Sequence, residues 1–173
     1  AHHGSPGDLA DAGAEALRAR PGIGPAKAAR LLAAVELGRR AAARPIERGD
    51  PIVSSRQVIE EYQPRLAHRR RERVYAVLLD AKHRKIRDHC VSVGSLDASI
   101  VHPREVFRPA VAAAAAAVIL VHNHPSGDPT PSEDDRVVTR RLAATADVLG
   151  ITLLDHVIVA RQGCLSFRDA GEM

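Results

Sequence analysis

The feature that most constrains this chain is the apolar run Ala117-Val118-Ile119-Leu120 together with the polar segment joined to its end. That segment is Val121-His122-Asn123-His124-Pro125-Ser126-Gly127-Asp128-Pro129-Thr130-Pro131-Ser132-Glu133-Asp134-Asp135. The run is short and partly β-branched, the pattern of a buried strand. Side chains alternate faces along a strand, so His122 and His124 point the same way at its end. The Pro- and Gly-rich segment continues neither strand nor helix, and it turns the chain back. It delivers Ser132 and Asp135 to the start of a helix expected over residues 132–149. Two imidazoles from one rigid element and a carboxylate from another make three legs of a metal site with an open fourth position. Zinc held in that way lowers the pKa of a water to ~7, acidic enough to attack a carbonyl at neutral pH. Each part also has a plainer reading. S-x-x-D before a helix is close to a capping box, in which Asp reaches back less well than Glu or Gln. A pair of histidines can also simply close a strand. The joint pattern is much harder to reach by chance than either half, and it favours the metal.

The spacing His122-x-His124, seven residues, Ser132, two residues, Asp135 resembles the JAMM motif of the JAB/MPN metalloprotease fold. The string HNHPSGDPTPSEDD is similar to the RadC family in particular. The resemblance runs from about Ser54 to the C-terminus and, more weakly, upstream. It implies an α/β fold in three layers, a mixed sheet flanked by helices, related to the cytidine deaminases. The deaminase signature itself, H-x-E with P-C-x-x-C, is absent. It also implies one zinc ion on His122, His124 and Asp135, with Ser132 assisting the oxyanion and an upstream glutamate as base. Two glutamates compete for that last role. Glu105 lies in the first turn of a helix opened by His102-Pro103, where the helix dipole already favours an acid. Glu72 heads the apolar strand 72–80, where no cap calls for a carboxylate and where the JAMM pattern draws its base. Glu72 is therefore the expected base. The function implied is hydrolysis of an amide or isopeptide-like bond in a protein or peptide-like substrate. The alternative is a nucleic-acid-associated protein of DNA repair or recombination whose metal site is not catalytic.

The rest of the chain frames this core. At 173 residues and 45% hydrophobic content there is material for one domain plus a small appendage. With 2% aromatics and no Trp, the core must be built from Ala, Leu, Val and Ile. Residues 1–5 read as a tag remnant, and the abrupt start after them as a truncated chain. Residues 6–45 form a small all-α unit, with helices expected over 8–18 and 25–43. The turn between them, Pro21-Gly22-Ile23-Gly24-Pro25-Ala26-Lys27, resembles a helix-hairpin-helix motif. Gly22 and Gly24 permit a tight turn that leaves N–H groups for a phosphate, and Lys27 and Arg30 add charge, so non-specific DNA is a possible partner. The net charge of +4 is compatible with such a partner without requiring one. G-x-G is equally a good turn in a scaffold that binds nothing. Residues 46–53 read as a polar linker, and 54–173 as the metal-binding domain. Within it, a helix over 54–66 is expected to open on Ser54 and Ser55 and end near Pro64, and a helix from His102 to run into the alanines 112–117. Asp155 and His156 interrupt an apolar strand over 151–160 and need partners, as supports of the metal ligands or as a satisfied core pair. Cys90 and Cys164 have no metal-like spacing and fit a reducing cytoplasm. No signal peptide and no bilayer-length apolar run is found, so a membrane is not expected as a partner.

Overall fold

A computed structural model describes residues 13–94 and 101–173. Residues 13–18 are helical, followed by α1 (Pro25–Ala42) and α2 (Ser55–Leu66). Then come β1 (Glu72–Leu79), β2 (Lys85–Gly94), α3 (Pro103–Ala112), β3 (Ala117–Asn123), α4 (Glu133–Leu149), β4 (Thr152–Val159) and β5 (Cys164–Ser166). The tag-like residues and the first part of the expected 8–18 helix lie outside the described residues. No described helix is long and apolar enough to cross a membrane.

The five strands form one sheet in the order β2-β1-β3-β4-β5. β1 runs antiparallel to both β2 and β3, while β3 and β4 are parallel and joined by the crossover helix α4. Alternation along the strands gives the sheet two apolar faces. Val74, Ala76, Leu78, Val118 and Leu120 pack on one face with Val106 and Phe107 of α3 and Val138 and Leu142 of α4. Val77, Leu79, Ile119, Val121 and Val157 pack on the other with Val58, Tyr62 and Leu66 of α2. This is the three-layer mixed α/β architecture expected from the sequence.

Three expectations about the helices, the place of Pro64, the cap at Ser54 and the alanine tract, are refined by the structure. α2 ends at Leu66, as the expected span 54–66 has it, but Pro64 lies inside its last turn and does not close it. Proline cannot donate to the carbonyl four residues back. That carbonyl, on Glu60, accepts instead from the Arg44 N–H at 3.4 Å, so the missing bond is replaced from outside the helix. At the start of α2, Ser54 holds the N-cap position with no side-chain cap bond, and Gln57 Oε1 accepts the Val53 N–H at 2.8 Å. The alanine tract is not a helix lying on the sheet. α3 ends at Ala112, Ala114 takes a left-handed φ of 49°, the Ala116 N–H donates to the Leu79 carbonyl, and Ala117 already belongs to β3. The small side chains allow a tight helix-to-strand turn. Within residues 46–53, Ile46 and Ile52 are buried, and Lys85 N–H donates to the Asp50 carbonyl at 2.9 Å, so this segment runs along the edge of the sheet.

A charged network secures α2 to β2. Buried Lys85 Nζ lies 3.1 Å from Glu61 and 2.9 Å from Asp88, Tyr62 Oη donates to Asp88 at 2.8 Å, and Arg65 pairs with Glu61 at 2.6 Å. Burial opposes ionisation of Asp88, but hydrogen bonds from Lys85 and Tyr62 outweigh it and hold its pKa below the ordinary value of 3.8. A depressed folded-state pKa stabilises the protein above the unfolded-state value, and that contribution is lost as pH falls through the folded value. Asp88→Asn should therefore cost about 1–3 kcal/mol in urea unfolding near neutral pH, the scale of a hydrogen-bonded charge. The gap from wild type should narrow below about pH 4.

Candidate metal centre

β3 carries His122 on the face covered by α4, and the antiparallel register places Val74 of β1 directly opposite it. Two residues earlier on the same face of β1 stands Glu72. His124 lies just past the end of β3, its N–H donating to the Val159 carbonyl at 3.1 Å. The chain then turns through Gly127, whose φ of 96° would strain any other residue and where a Cβ would press Arg161 Nε at 3.2 Å. The turn returns the chain to Ser132, the N-cap of α4, with Asp135 at the third helical position.

These four side chains converge. Glu72, His122, His124 and Asp135 each offer a ligand atom, all within 4.8 Å of one another. Asp135 Oδ1 lies 3.1 Å from His122 Nε2, Asp135 Oδ2 lies 3.3 Å from His124 Nε2, and Glu72 Oε1 lies 3.7 Å from His122 Nε2. The competing glutamate, Glu105, is outside the group and pairs with Arg104 and Arg108 on α3.

The capping box and the metal group coexist. The Ser132 hydroxyl accepts the Asp135 N–H at 3.1 Å, and Asp135 Oδ2 accepts the Ser132 N–H at 2.7 Å. Asp therefore closes the box despite its short reach. The Ser132 hydroxyl also donates to Asp135 Oδ2 at 2.6 Å. Helix start and histidine strand thus share one carboxylate.

Electrostatics bind the group together. Burial disfavours the charged form of Asp135, but the His122 and His124 rings beside it and the Ser132 hydroxyl hold its carboxyl far below the usual range. Burial lowers the pKa of His124, but the neighbouring Asp135 and the Asp128 carbonyl reverse this and raise it. His124 Nδ1 lies 2.8 Å from the Asp128 carbonyl, which can only accept, so Nδ1 carries a proton and the neutral ring presents a lone pair at Nε2. His122 Nε2 is fully buried and makes no hydrogen bond, although Asp135 is near. Two imidazole nitrogens and two carboxylates facing one point form a donor set suited to zinc, and the group fits such an ion.

Three further residues build this site, and of them the sequence marks only His156, as one of two candidate supports of the metal ligands. Asn123, between the two histidines and on the other face, accepts the Arg73 N–H at 2.9 Å and donates to the Arg69 and Arg71 carbonyls. It thereby fixes the segment that carries Glu72. His156 Nε2 contacts His122 Nδ1 at 2.7 Å, and Thr139 Oγ1 contacts His156 Nδ1 at 2.7 Å. Asp155 does not join them: it accepts from the Ser166 hydroxyl, the His156 N–H and the Arg168 N–H. A β-bulge separates the two roles. Leu153 and Asp155 pair with consecutive residues of β3, so Leu154 is extra and His156 swings onto the His122 face beside Leu120. The hairpin residues Gly22, Gly24, Lys27 and Arg30 do not belong to the metal group. Gly22 has a φ of 80°, Gly24 is the N-cap of α1, Lys27 Nζ donates to the Gly22 carbonyl at 2.9 Å, and Arg30 is exposed.

Fold and site together define a mixed α/β domain with a candidate metal centre of the His-x-His and Asp type. The profile of the RadC-like JAB domain family matches residues 52–172, and the chain belongs to that family. A UPF0758 protein of Syntrophotalea carbinolica is 48% identical over 163 residues, covering 94% of this chain and 72% of its own. A UPF0758 protein of Symbiobacterium thermophilum is 51% identical over 150 residues, covering 87% and 64%. One from Thermotoga maritima is 44% identical over 165 residues, covering 95% and 74%.

Each of His122→Ala, His124→Ala and Asp135→Ala should weaken zinc binding by about two orders of magnitude or more in competition with a chromophoric chelator. Asp135→Ala should also lower the stability of the metal-free protein by about 1 kcal/mol through its lost cap. Wild-type zinc affinity in all three variants would refute the site.

Proposed function

We propose that this domain is a zinc-dependent hydrolase that cleaves an amide or isopeptide-like bond in a protein or peptide-like substrate. The observation that carries this reading is the placement of Glu72. Its carboxylate joins the metal group, yet it lies further from His122 Nε2 than Asp135 does, 3.7 Å against 3.1 Å, and it is less buried. A carboxylate beside the ligands, with access to solvent, is positioned to handle a proton.

His122, His124 and Asp135 would hold the zinc, which supplies Lewis acidity and a water of pKa about 7. Glu72 takes the proton from the attacking water and returns it to the leaving amine. Ser132 is the proposed donor to the oxyanion that develops on the substrate. Its hydroxyl now bonds Asp135, so this role requires that hydrogen to turn toward the substrate. The bond class rests on the likeness to JAB/MPN metalloproteases.

A second reading, a DNA-associated protein with a non-catalytic metal, draws on one feature of α1. Its N-cap is a glycine with no side-chain cap bond and its first turn holds no acid. Its first N–H groups are therefore compatible with a phosphate. Loss of DNA affinity in Lys27→Ala and Arg30→Ala, with no hydrolysis of any peptide, would favour that reading.

Glu72→Gln should bind zinc about as tightly as wild type but lose about 10²-fold or more in turnover of a peptide or isopeptide library. Glu105→Gln should stay active. A fully active Glu72 variant beside a dead Glu105 variant would reverse the assignment.

A further inference from the structure

The contacts behind His122 carry more than packing, because the direction of each proton in them can be worked out. Thr139 lies one turn after Asp135 in α4, and its hydroxyl lies 2.7 Å from the Asp135 backbone carbonyl. A carbonyl only accepts, and a hydroxyl has one proton, so that proton points to Asp135. Thr139 Oγ1 must then accept in its 2.7 Å contact with His156 Nδ1, which places a proton on Nδ1. His156 is fully buried and stacked on Phe167 at 4.7 Å between ring centres, and its two nitrogens face a hydroxyl and another imidazole rather than a carboxylate, so the ring carries a single proton. With its one proton on Nδ1, His156 offers a lone pair at Nε2. The 2.7 Å contact from there to His122 Nδ1 therefore needs the proton on His122 Nδ1. Neutral His122 is left with a lone pair at Nε2, the buried atom that faces Glu72 and Asp135 and makes no hydrogen bond.

We propose that Thr139 and His156 are positioning residues, a proton-ordered chain from the Asp135 backbone that fixes His122 in the tautomer with its Nε2 lone pair turned into the metal group. His124 receives the same instruction directly, from the Asp128 carbonyl. His122 receives it through two intermediaries, because the fully buried end of β3 has another strand beside it in place of a loop carbonyl. A ligand histidine whose second nitrogen is held by a partner is both oriented and made more basic. The bulge at Leu154 is what brings His156 to this place. The proposal rests on the metal reading of the site for its effect on affinity, but the proton order itself can be read without metal.

The test uses the whole chain labelled with ¹⁵N-histidine. Ring-nitrogen NMR of the metal-free protein at about pH 9, above the ordinary imidazole range, should show His122 protonated at Nδ1 and bare at Nε2. Thr139→Val, which keeps the side-chain shape and removes the hydroxyl, should turn His122 into a mixture of tautomers. It should also weaken zinc binding by about 10–100-fold. Thr139→Ser should restore both properties. His156→Leu should weaken zinc to a similar degree, and the threonine pair keeps the test decisive if that variant does not fold. A proton on His122 Nε2 in the wild type would overturn the chain. So would a Thr139→Val protein that matches wild type in both tautomer and zinc affinity. If the wild type binds no zinc, the metal reading fails, while the ring-nitrogen pattern still decides the chain.

Discussion

Asp135 is the point on which the architecture turns. Its backbone carbonyl holds the Thr139 hydroxyl, its N–H holds Ser132, and its carboxylate both closes the start of α4 and faces two histidines. One residue thus ties the crossover helix to the end of β3. Burying a carboxylate is costly unless it is paired. Here its partners are the imidazoles and the helix cap. The other groups of the cluster add acceptors: Nε2 of His124 is a lone pair by virtue of Asp128, and Glu72 brings a second carboxylate. Such a set asks for a cation at its centre.

The sheet supplies the rest of the geometry. Antiparallel pairing of β1 with β3 sets Val74 against His122, and this register brings Glu72 to the histidines from a strand about fifty residues earlier in the chain. Parallel pairing of β3 with β4 brings His156 behind His122. Asn123 then clamps the start of β1 from the opposite face. Ligands, the proposed base and the supports therefore come from β1, β3, α4 and β4, with His124 just past the end of β3. This arrangement suits a candidate metal site whose shape is set by the fold itself.

How much of this is legible in the sequence depends on how local each signal is. His122, His124 and Asp135 lie within fourteen positions of one another, and strand alternation with a helix start is enough to bring them together. Glu72 lies far off in sequence, and only the resemblance to the JAMM pattern and the lack of any cap for it to serve point to it. The part played by His156 is legible only as one of two alternatives shared with Asp155, because strict alternation across 151–160 cannot show the bulge at Leu154 that separates the two. Asn123 gives no signal because it points to the other face. Local rules fail where tertiary contacts override them. Pro64 sits inside α2 because Arg44 serves the carbonyl that proline leaves, and the alanine tract leaves the helix because the Ala116 N–H joins the sheet.

The claim that these residues form one metal centre is tested most directly by X-ray absorption at the zinc edge on purified, zinc-loaded protein. Four or five nitrogen and oxygen ligands at about 2.0–2.1 Å, with the outer-shell scattering of two imidazoles, are the result expected of His122, His124, a carboxylate and solvent. A sulfur shell at about 2.3 Å, which would bring in Cys90 or Cys164, or three imidazoles, which would make His156 a ligand, would contradict it.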